Sequence, residues 1–188
     1  LVLAFSLFIC FNTTAQETKL TQNVLTATIL EPGISYEASL SNKFTAKFRA
    51  GLNGYLETST SAANVNQIKL TPYPFIGAGA RHYYGFDERN KKGKNTLRNS
   101  ANYIGISALY GLVNSKTDFG SGTTTTTTTQ IYNVGFVWGL QRNYRNRFSL
   151  DLNIGPSFTD LLVNGNLGFT SEFTIGIWLG KKTEEGNK

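Results

Sequence analysis

His82 is the single histidine of the chain and the first residue whose type could support catalysis. Acyl hydrolysis or transfer commonly uses a serine nucleophile within about 3 Å of a histidine base, which a carboxylate orients. Ser100 or Ser107 could approach His82 from the next predicted strand, with Asp87 or Glu88 as the orienting carboxylate. This set defines one hypothesis, a lipid-active enzyme that uses His82.

The parity of His82 favours another interpretation. His82 shares the apolar face of its predicted strand with Ala78 and Ala80, and it lies near the end of that strand. An amphipathic ring at such a place is typical of a contact with lipid headgroups. We therefore expect no catalytic residue and keep the enzyme as the alternative.

Six charged residues fall on the opposite, polar faces of the predicted strands: Glu37, Lys47, Arg49, Arg81, Arg147 and Asp151. Removing an isolated charge from water costs several kcal/mol, so charges inside a narrow barrel should pair with one another. The sequence predicts an ion-pair network that fills the interior. A gated ion path is the functional alternative, although eight strands leave just enough space for side chains.

A basic segment follows the His82 strand. It carries two carboxylates, Asp87 and Glu88, and five cations: Arg89, Lys91, Lys92, Lys94 and Arg98. The segment could dock anionic lipid headgroups or a partner protein, or it could be a solvated turn. Although the net charge is +6, an exported protein rarely meets nucleic acid, and no such partner is expected. No group of residues has metal-ligand spacing, and we expect no metal or cofactor.

Strict alternation of apolar and polar residues identifies the elements that must position these side chains. From 147 to 158 every even residue is apolar and every odd residue is polar or small, apart from the proline at 156. The ranges 44–53 and 173–180 repeat the pattern. Period two is the signature of a strand with two different faces. Because the polar faces are rich in glycine, serine and asparagine, they suit a crowded wet lumen better than the outside of a lipocalin-like soluble barrel.

Eight strands are predicted, near 22–30, 33–40, 44–56, 67–84, 101–113, 130–141, 147–158 and 170–180. The fold is therefore expected to be all-β, an eight-stranded antiparallel up-and-down transmembrane β-barrel. The first two strands could instead form one long strand with a kink at Glu31 to Gly33. The threonine run from Thr123 to Thr129 has nothing apolar to pack and is expected to be a mobile external loop.

Two hairpins give predictions of register. Pairing of Leu40 with Phe44 places Glu37 opposite Lys47 on the polar face. The predicted turn at 142–146 pairs Phe136 with Leu152 and, in the same register, residue 138 with residue 150.

The apolar run from Leu1 to Phe11 followed by the small residues 12–15 predicts a signal peptide, cleaved before Gln16 and truncated at its start. This gives a leader of residues 1–15 and a barrel domain of residues 16–188. Cys10 allows a lipoprotein reading, but Ile9 stands where a small residue is expected.

The motifs RHYYGF at 81–86, ERNKKGKNT at 88–96 and NSANY at 99–103 resemble those of small outer-membrane β-barrel proteins of Bacteroidetes. The leader end at Ala15 and Gln16 and the hairpin from Ile34 to Phe44 are similar too. The resemblance implies an eight-stranded barrel of the OmpA and OmpX type. We expect the protein in the cell outer membrane of a Gram-negative bacterium, in contact with lipid and lipopolysaccharide and with other envelope proteins as partners. It implies no activity, because such barrels include anchors, adhesins and enzymes. We expect a structural, anchoring or partner-docking role.

Overall fold

Eight antiparallel strands close into an up-and-down barrel in the computed structural model, which describes residues 20–60, 66–118, 124–159 and 166–180. In chain order the strands are β1 (Val24–Thr28), β2 (Gly33–Ser39), β3 (Phe44–Thr60), β4 (Asn66–Tyr83), β5 (Asn102–Asp118), β6 (Thr124–Asn143), β7 (Phe148–Thr159) and β8 (Asn166–Leu179). Each strand pairs with its neighbours in sequence, and β1 pairs with β8. The predicted eight-stranded all-β barrel is therefore confirmed. The signal peptide prediction lies outside the described residues.

The two faces of the barrel wall have opposite character. Large apolar side chains point outward and are about half exposed, among them Phe48, Ile76, Ile106, Phe136, Ile154 and Phe173. The buried side chains that point inward include Glu37, Lys47, Arg81, Asp151 and Glu172. Side chains alternate between the faces of a strand, so the period-two pattern of the sequence becomes an apolar outside and a charged inside.

The first hairpin is short but consists of two separate strands. β1 and β2 pair antiparallel, from Val24 opposite Glu37 to Thr28 opposite Gly33, so the kinked single strand is excluded. The β1–β8 seam has only four residue pairs, whereas β3 and β4 share seventeen. Because β1 and β2 are short, β3 and β8 extend past this hairpin. Within the described part of the chain, no strand lies between these extended parts of β3 and β8. The wall is therefore low on this side.

The β2–β3 and β6–β7 hairpins test the two predicted registers. Glu37 lies opposite Lys47, as predicted. The β6–β7 register is wrong by four positions, because Leu152 lies opposite Leu140 and Trp138 lies opposite Ile154. The predicted turn started too early: β6 continues to Asn143, and the turn occupies residues 144–147. Since the shift is even, both strands keep their faces.

The threonine run is strand in its described part, which corrects the predicted loop. β6 begins at Thr124 and pairs with β5 as far as Asp118. Threonine is β-branched and favours strands, and the extended β5 supplies the backbone hydrogen bonds that the run needs. The side chains of residues 125–130 are exposed.

The connection between β4 and β5 folds against one end of the barrel. It contains the helix α1 (Phe86–Lys91) and a single 3₁₀ turn (Leu97–Asn99). Phe86 and Ala101 are fully buried against Tyr83, Tyr103 and Val137. We call residues 84–101 the plug, because this segment is packed rather than a fully solvated turn. Neither helical segment of the described chain is long and apolar enough to cross a membrane.

Candidate functional site in the barrel interior

Asp151 on β7 is the centre of the charged interior. Its Oδ2 atom is 2.5 Å from Lys47 Nζ and accepts a hydrogen bond from Arg81 Nη2 at 2.7 Å. The Tyr103 hydroxyl donates to the other oxygen, Oδ1, at 2.7 Å. Three strands thus supply donors to one buried carboxylate, which satisfies the desolvated charge.

Glu37 on β2 is held by neutral donors on the same level of the barrel. It accepts hydrogen bonds from Thr45 Oγ1 at 2.7 Å, from the Tyr83 hydroxyl at 2.6 Å and from Gln141 Nε2 at 3.1 Å. Gln141 also accepts from Arg81 Nη1, which joins the two carboxylates. We call Glu37, Lys47, Arg81, Gln141 and Asp151 the central network; it holds two cations and two carboxylates.

A second charged layer lies between the central network and the end of the barrel opposite the plug. Arg49 on β3 contacts Glu172 on β8, and its Nη1 atom is 3.5 Å from Glu31 Oε2 in the β1–β2 connection. Asn153 Nδ2 donates to Glu172 Oε2 at 2.9 Å. One cation here faces two carboxylates. Burial, and secondarily the charge of Glu172, raise the pKa of Glu31 above its ordinary value.

Five of the six charged residues predicted for the lumen lie in these two layers, and Arg147 does not. Arg147 is exposed in the β7-preceding turn, with a φ of 71°, and its backbone oxygen accepts from Trp178 N. The residue precedes β7, so the strand parity that placed it inside does not apply. Glu31 and Glu172 were missed. Parity with Thr174 and Gly176 would have placed Glu172 on the inner face.

The central network leaves little free space. Two voids beside Lys47 and its neighbours each have a volume of about 10 Å³, which is barely enough for one water molecule. On the side of Arg49 away from the central network, the lumen widens into a cavity of about 520 Å³. We call this space the outer cavity. The filled middle of the barrel gives no support to the ion path considered from the sequence.

The plug places its basic residues in two different environments. Arg89, Lys91, Lys92 and Lys94 lie at the surface, mostly exposed, as a docking surface requires. Arg98 is buried, with its guanidinium 3.6 Å from the ring centroid of Trp178, which corrects its assignment to that surface. Its backbone lies in the left-handed region, with a φ of 48°. Burial, with a smaller contribution from nearby Arg147, lowers the pKa of Arg98.

Asn99 ties the plug to the segment that precedes β1. Its Oδ1 accepts from Gln22 N at 2.8 Å, and its Nδ2 donates to Gln22 O at 2.9 Å. The side chain of Asn99 is fully buried. Its backbone has a φ of 66°, a left-handed conformation that asparagine tolerates. The plug thus binds the segment that leads into β1 and also covers one end of the barrel.

The residues of the catalytic alternative are not brought together. His82 lies on the outer face, with its ring 4.6 Å from that of Phe44. Ser107 lines the outer cavity, and Ser100 Oγ is hydrogen-bonded to the backbone of Asn143. Asp87 accepts from Lys43 at 2.6 Å, and this hydrogen bond lowers its pKa.

Groups of three or more metal-ligating side chains are absent from the part of the chain that the structure describes. The chain matches the family described as "Protein of unknown function (DUF3575)" over residues 1–164. Comparison with curated proteins and with solved structures gives no match.

Proposed function

Because the chain belongs to the DUF3575 family of proteins of unknown function, we propose its role from geometry: an integral outer-membrane β-barrel that anchors itself in the bilayer and docks anionic headgroups or envelope partners at its plug end. No catalysis is part of this proposal. The resemblance of residues 81–103 to small Bacteroidetes barrels supports the same assignment.

The inverted faces of the wall carry the proposal. In water, a barrel that exposes Phe136 at 64% and Phe48 at 54% while burying Lys47 and Asp151 would be unfavourable on both sides. In a bilayer the same arrangement is favourable, because acyl chains cover the apolar side chains and the charges remain paired inside. At the level of the central network the interior is polar and filled, which differs from the apolar core of a lipocalin-like barrel.

The apolar band has the height of a bilayer. On β6 the outward side chains from Val134 to Leu140 are apolar, and Tyr132 and Arg142 mark the two ends of the band. Tyr132 and Arg142 are ten residue steps apart on β6, which corresponds to about 33 Å along the strand. With a tilt of about 40° this becomes about 25 Å along the barrel axis, which matches the apolar band of known membrane barrels.

Aromatic and basic residues at the plug end support a lipid interface there. Trp138 Nε1 donates to the Tyr84 hydroxyl at 2.6 Å on the outer surface, and amphipathic rings favour the headgroup level. Among the described residues near this end, the carboxylates are Asp87 and Glu88, and the cations are Lys43, Arg89, Lys91, Lys92, Lys94, Arg98, Arg142, Arg145 and Arg147. This excess of positive charge would attract anionic headgroups or an acidic partner.

The two tryptophans of the chain allow a direct test of the faces. Trp138 is 45% exposed on the outer face, and Trp178 is 1% exposed on the inner face. We would prepare Trp138→Phe and Trp178→Phe and reconstitute each into vesicles that contain lipids with brominated acyl chains. Fluorescence of the protein that retains Trp138 should be quenched strongly, and that of the protein that retains Trp178 weakly.

The opposite outcomes are equally clear. A water-soluble barrel would remain outside the vesicles and show no quenching of either tryptophan. Extraction of cell envelopes gives an independent measurement: we expect the protein to resist carbonate washing, to need detergent, and to migrate differently in gels before and after heating. Release into the aqueous phase without detergent would overturn the proposal.

A further inference from the structure

The outer cavity combines a volume of the size of a small ligand with unbalanced charge. Its volume of about 520 Å³ lies within the range of small-molecule binding sites. The central network below it is neutral, because Lys47 and Arg81 balance Glu37 and Asp151. At the floor of the cavity, Arg49 alone faces Glu31 and Glu172. The two charged layers together therefore hold one more carboxylate than cations, and this excess borders the cavity.

Arg49 cannot readily recruit an anion into this space. Its guanidinium contacts both carboxylates and lies 5.3 Å from the ring centroid of Phe75. A ligand with a carboxylate or phosphate group would have to displace Glu31 or Glu172 and would add a second excess negative charge. A cation would instead balance the floor.

The wall opposite the short hairpin supplies apolar surface. Tyr73, Leu109, Val113 and Ile131 line the cavity, and Tyr73 and Val113 are buried. An aromatic ring and carboxylates together are the groups that recognise organic ammonium ions. A hydrated inorganic cation would leave this apolar wall without a partner.

The low wall gives such a ligand a way in. Beside the cavity, the upper part of β8 around Thr170 and the part of β3 around Asn53 have no described strand between them. Both residues line the cavity. Among the described residues, no strand blocks the approach of a small molecule from this side.

We infer that the outer cavity binds a small organic monocation, with its ammonium group between Glu31 and Glu172 and its apolar body against Tyr73 and the neighbouring aliphatic side chains. This site is additional to the anchoring role and does not depend on it, because binding can be measured in detergent.

The test uses the full barrel in a non-ionic detergent and four probes of similar size or charge. These are 2-phenylethylammonium, the uncharged 2-phenylethanol, the anionic phenylacetate, and ammonium, which lacks an apolar body. Titration calorimetry should detect binding of 2-phenylethylammonium only. Binding of phenylethanol or phenylacetate with equal affinity, or of ammonium alone, would overturn the inference.

Two variants localise the site. Glu31→Gln should weaken binding of 2-phenylethylammonium at least tenfold while Arg49 keeps Glu172 as a partner, and Glu88→Gln on the plug should leave it unchanged. Ser107→Phe fills the cavity without changing any charge and should also abolish binding. Unchanged affinity in Glu31→Gln would contradict the inference, and heat-modifiable migration confirms that each variant is folded.

Discussion

Lys47 Nζ and Asp151 Oδ2 lie 2.5 Å apart in the middle of the barrel, although 104 positions separate the two residues in the chain. Both side chains are almost fully buried. The pair links β3 to β7 across the lumen, so it holds together strands that share no backbone hydrogen bonds.

Asp151→Asn should strongly destabilise the barrel. The substitution leaves Lys47 and Arg81 buried without their shared carboxylate, and breaking such a buried pair costs about 3–5 kcal/mol. Urea unfolding in lipid vesicles measures the free energy of unfolding. The control is Asp87→Asn, which removes an exposed carboxylate bonded to Lys43; it should have no measurable effect. Equal losses in both variants would argue against the role of burial.

Phe136→Lys should distinguish a bilayer from water as the surroundings of the outer face. Phe136 lies near the middle of the apolar band on β6. A lysine there should cost about 2–4 kcal/mol in a bilayer and nothing in water. Thr126→Lys, on the exposed extension of the same strand, is the matched control and should be neutral. The measurement is again the free energy of unfolding in vesicles, and an unaffected Phe136→Lys would contradict membrane insertion.

The raised pKa of Glu31 predicts a pH dependence with a definite sign. Burial, with Glu172 as the second cause, raises this pKa, while Arg49 and the more distant Lys47 lower it and Asp151 raises it. A carboxyl whose folded-state pKa exceeds its unfolded value stabilises the fold at low pH, and this stabilisation is lost as the pH rises through the folded-state pKa. Glu31→Gln should therefore match the original protein below pH 4.5, the ordinary pKa of glutamate, and be more stable above it.

Glu88→Gln is the control with the opposite sign. The hydrogen bond from Lys92 lowers the pKa of Glu88, so any contribution of this group is present at neutral pH and is lost on acidification. Free energies of unfolding measured across the acid range compare the two variants. An original protein that is more stable than Glu31→Gln at neutral pH would contradict the assignment of Glu31.

The exposed lysines of the plug should retain anionic lipid. Changing Lys91, Lys92 and Lys94 together to glutamine removes three charges and should lower the amount of phosphatidylglycerol that copurifies in mild detergent, while phosphatidylethanolamine is unaffected. The same three positions changed to arginine keep the charge and should retain the lipid. Mass spectrometry of the extracted lipids measures the result. Equal lipid content in both variants would exclude these lysines as the contact.

The strands and their faces could be predicted because period two is a local property of the sequence. Even the pairing of Glu37 with Lys47 followed from one short turn. The β6–β7 register was wrong because the turn residues 142–146 gave no sign that β6 continues to Asn143. The threonine run was wrong for a related reason: its partner β5 continues to Asp118, and only that pairing makes the run a strand.

The contacts of the interior depend on strands that are distant in sequence. Nothing near Asp151 indicates that its partners are Lys47, Arg81 and Tyr103. Arg98 lies in a strongly basic segment and was therefore predicted at the surface. Its buried position against Trp178, with a left-handed backbone, is visible only in the structure. The outer cavity depends on the difference in strand length between the first hairpin and the others.

The four residue pairs between β1 and β8 have a consequence for how the ring is held shut. This short ladder is the weakest strand pairing of the barrel. Asn99, from the middle of the chain, forms two hydrogen bonds with the backbone of Gln22, two residues before β1 begins. Removing the plug should therefore first separate the first strand from the last. The plug thus stabilises the closure of the barrel.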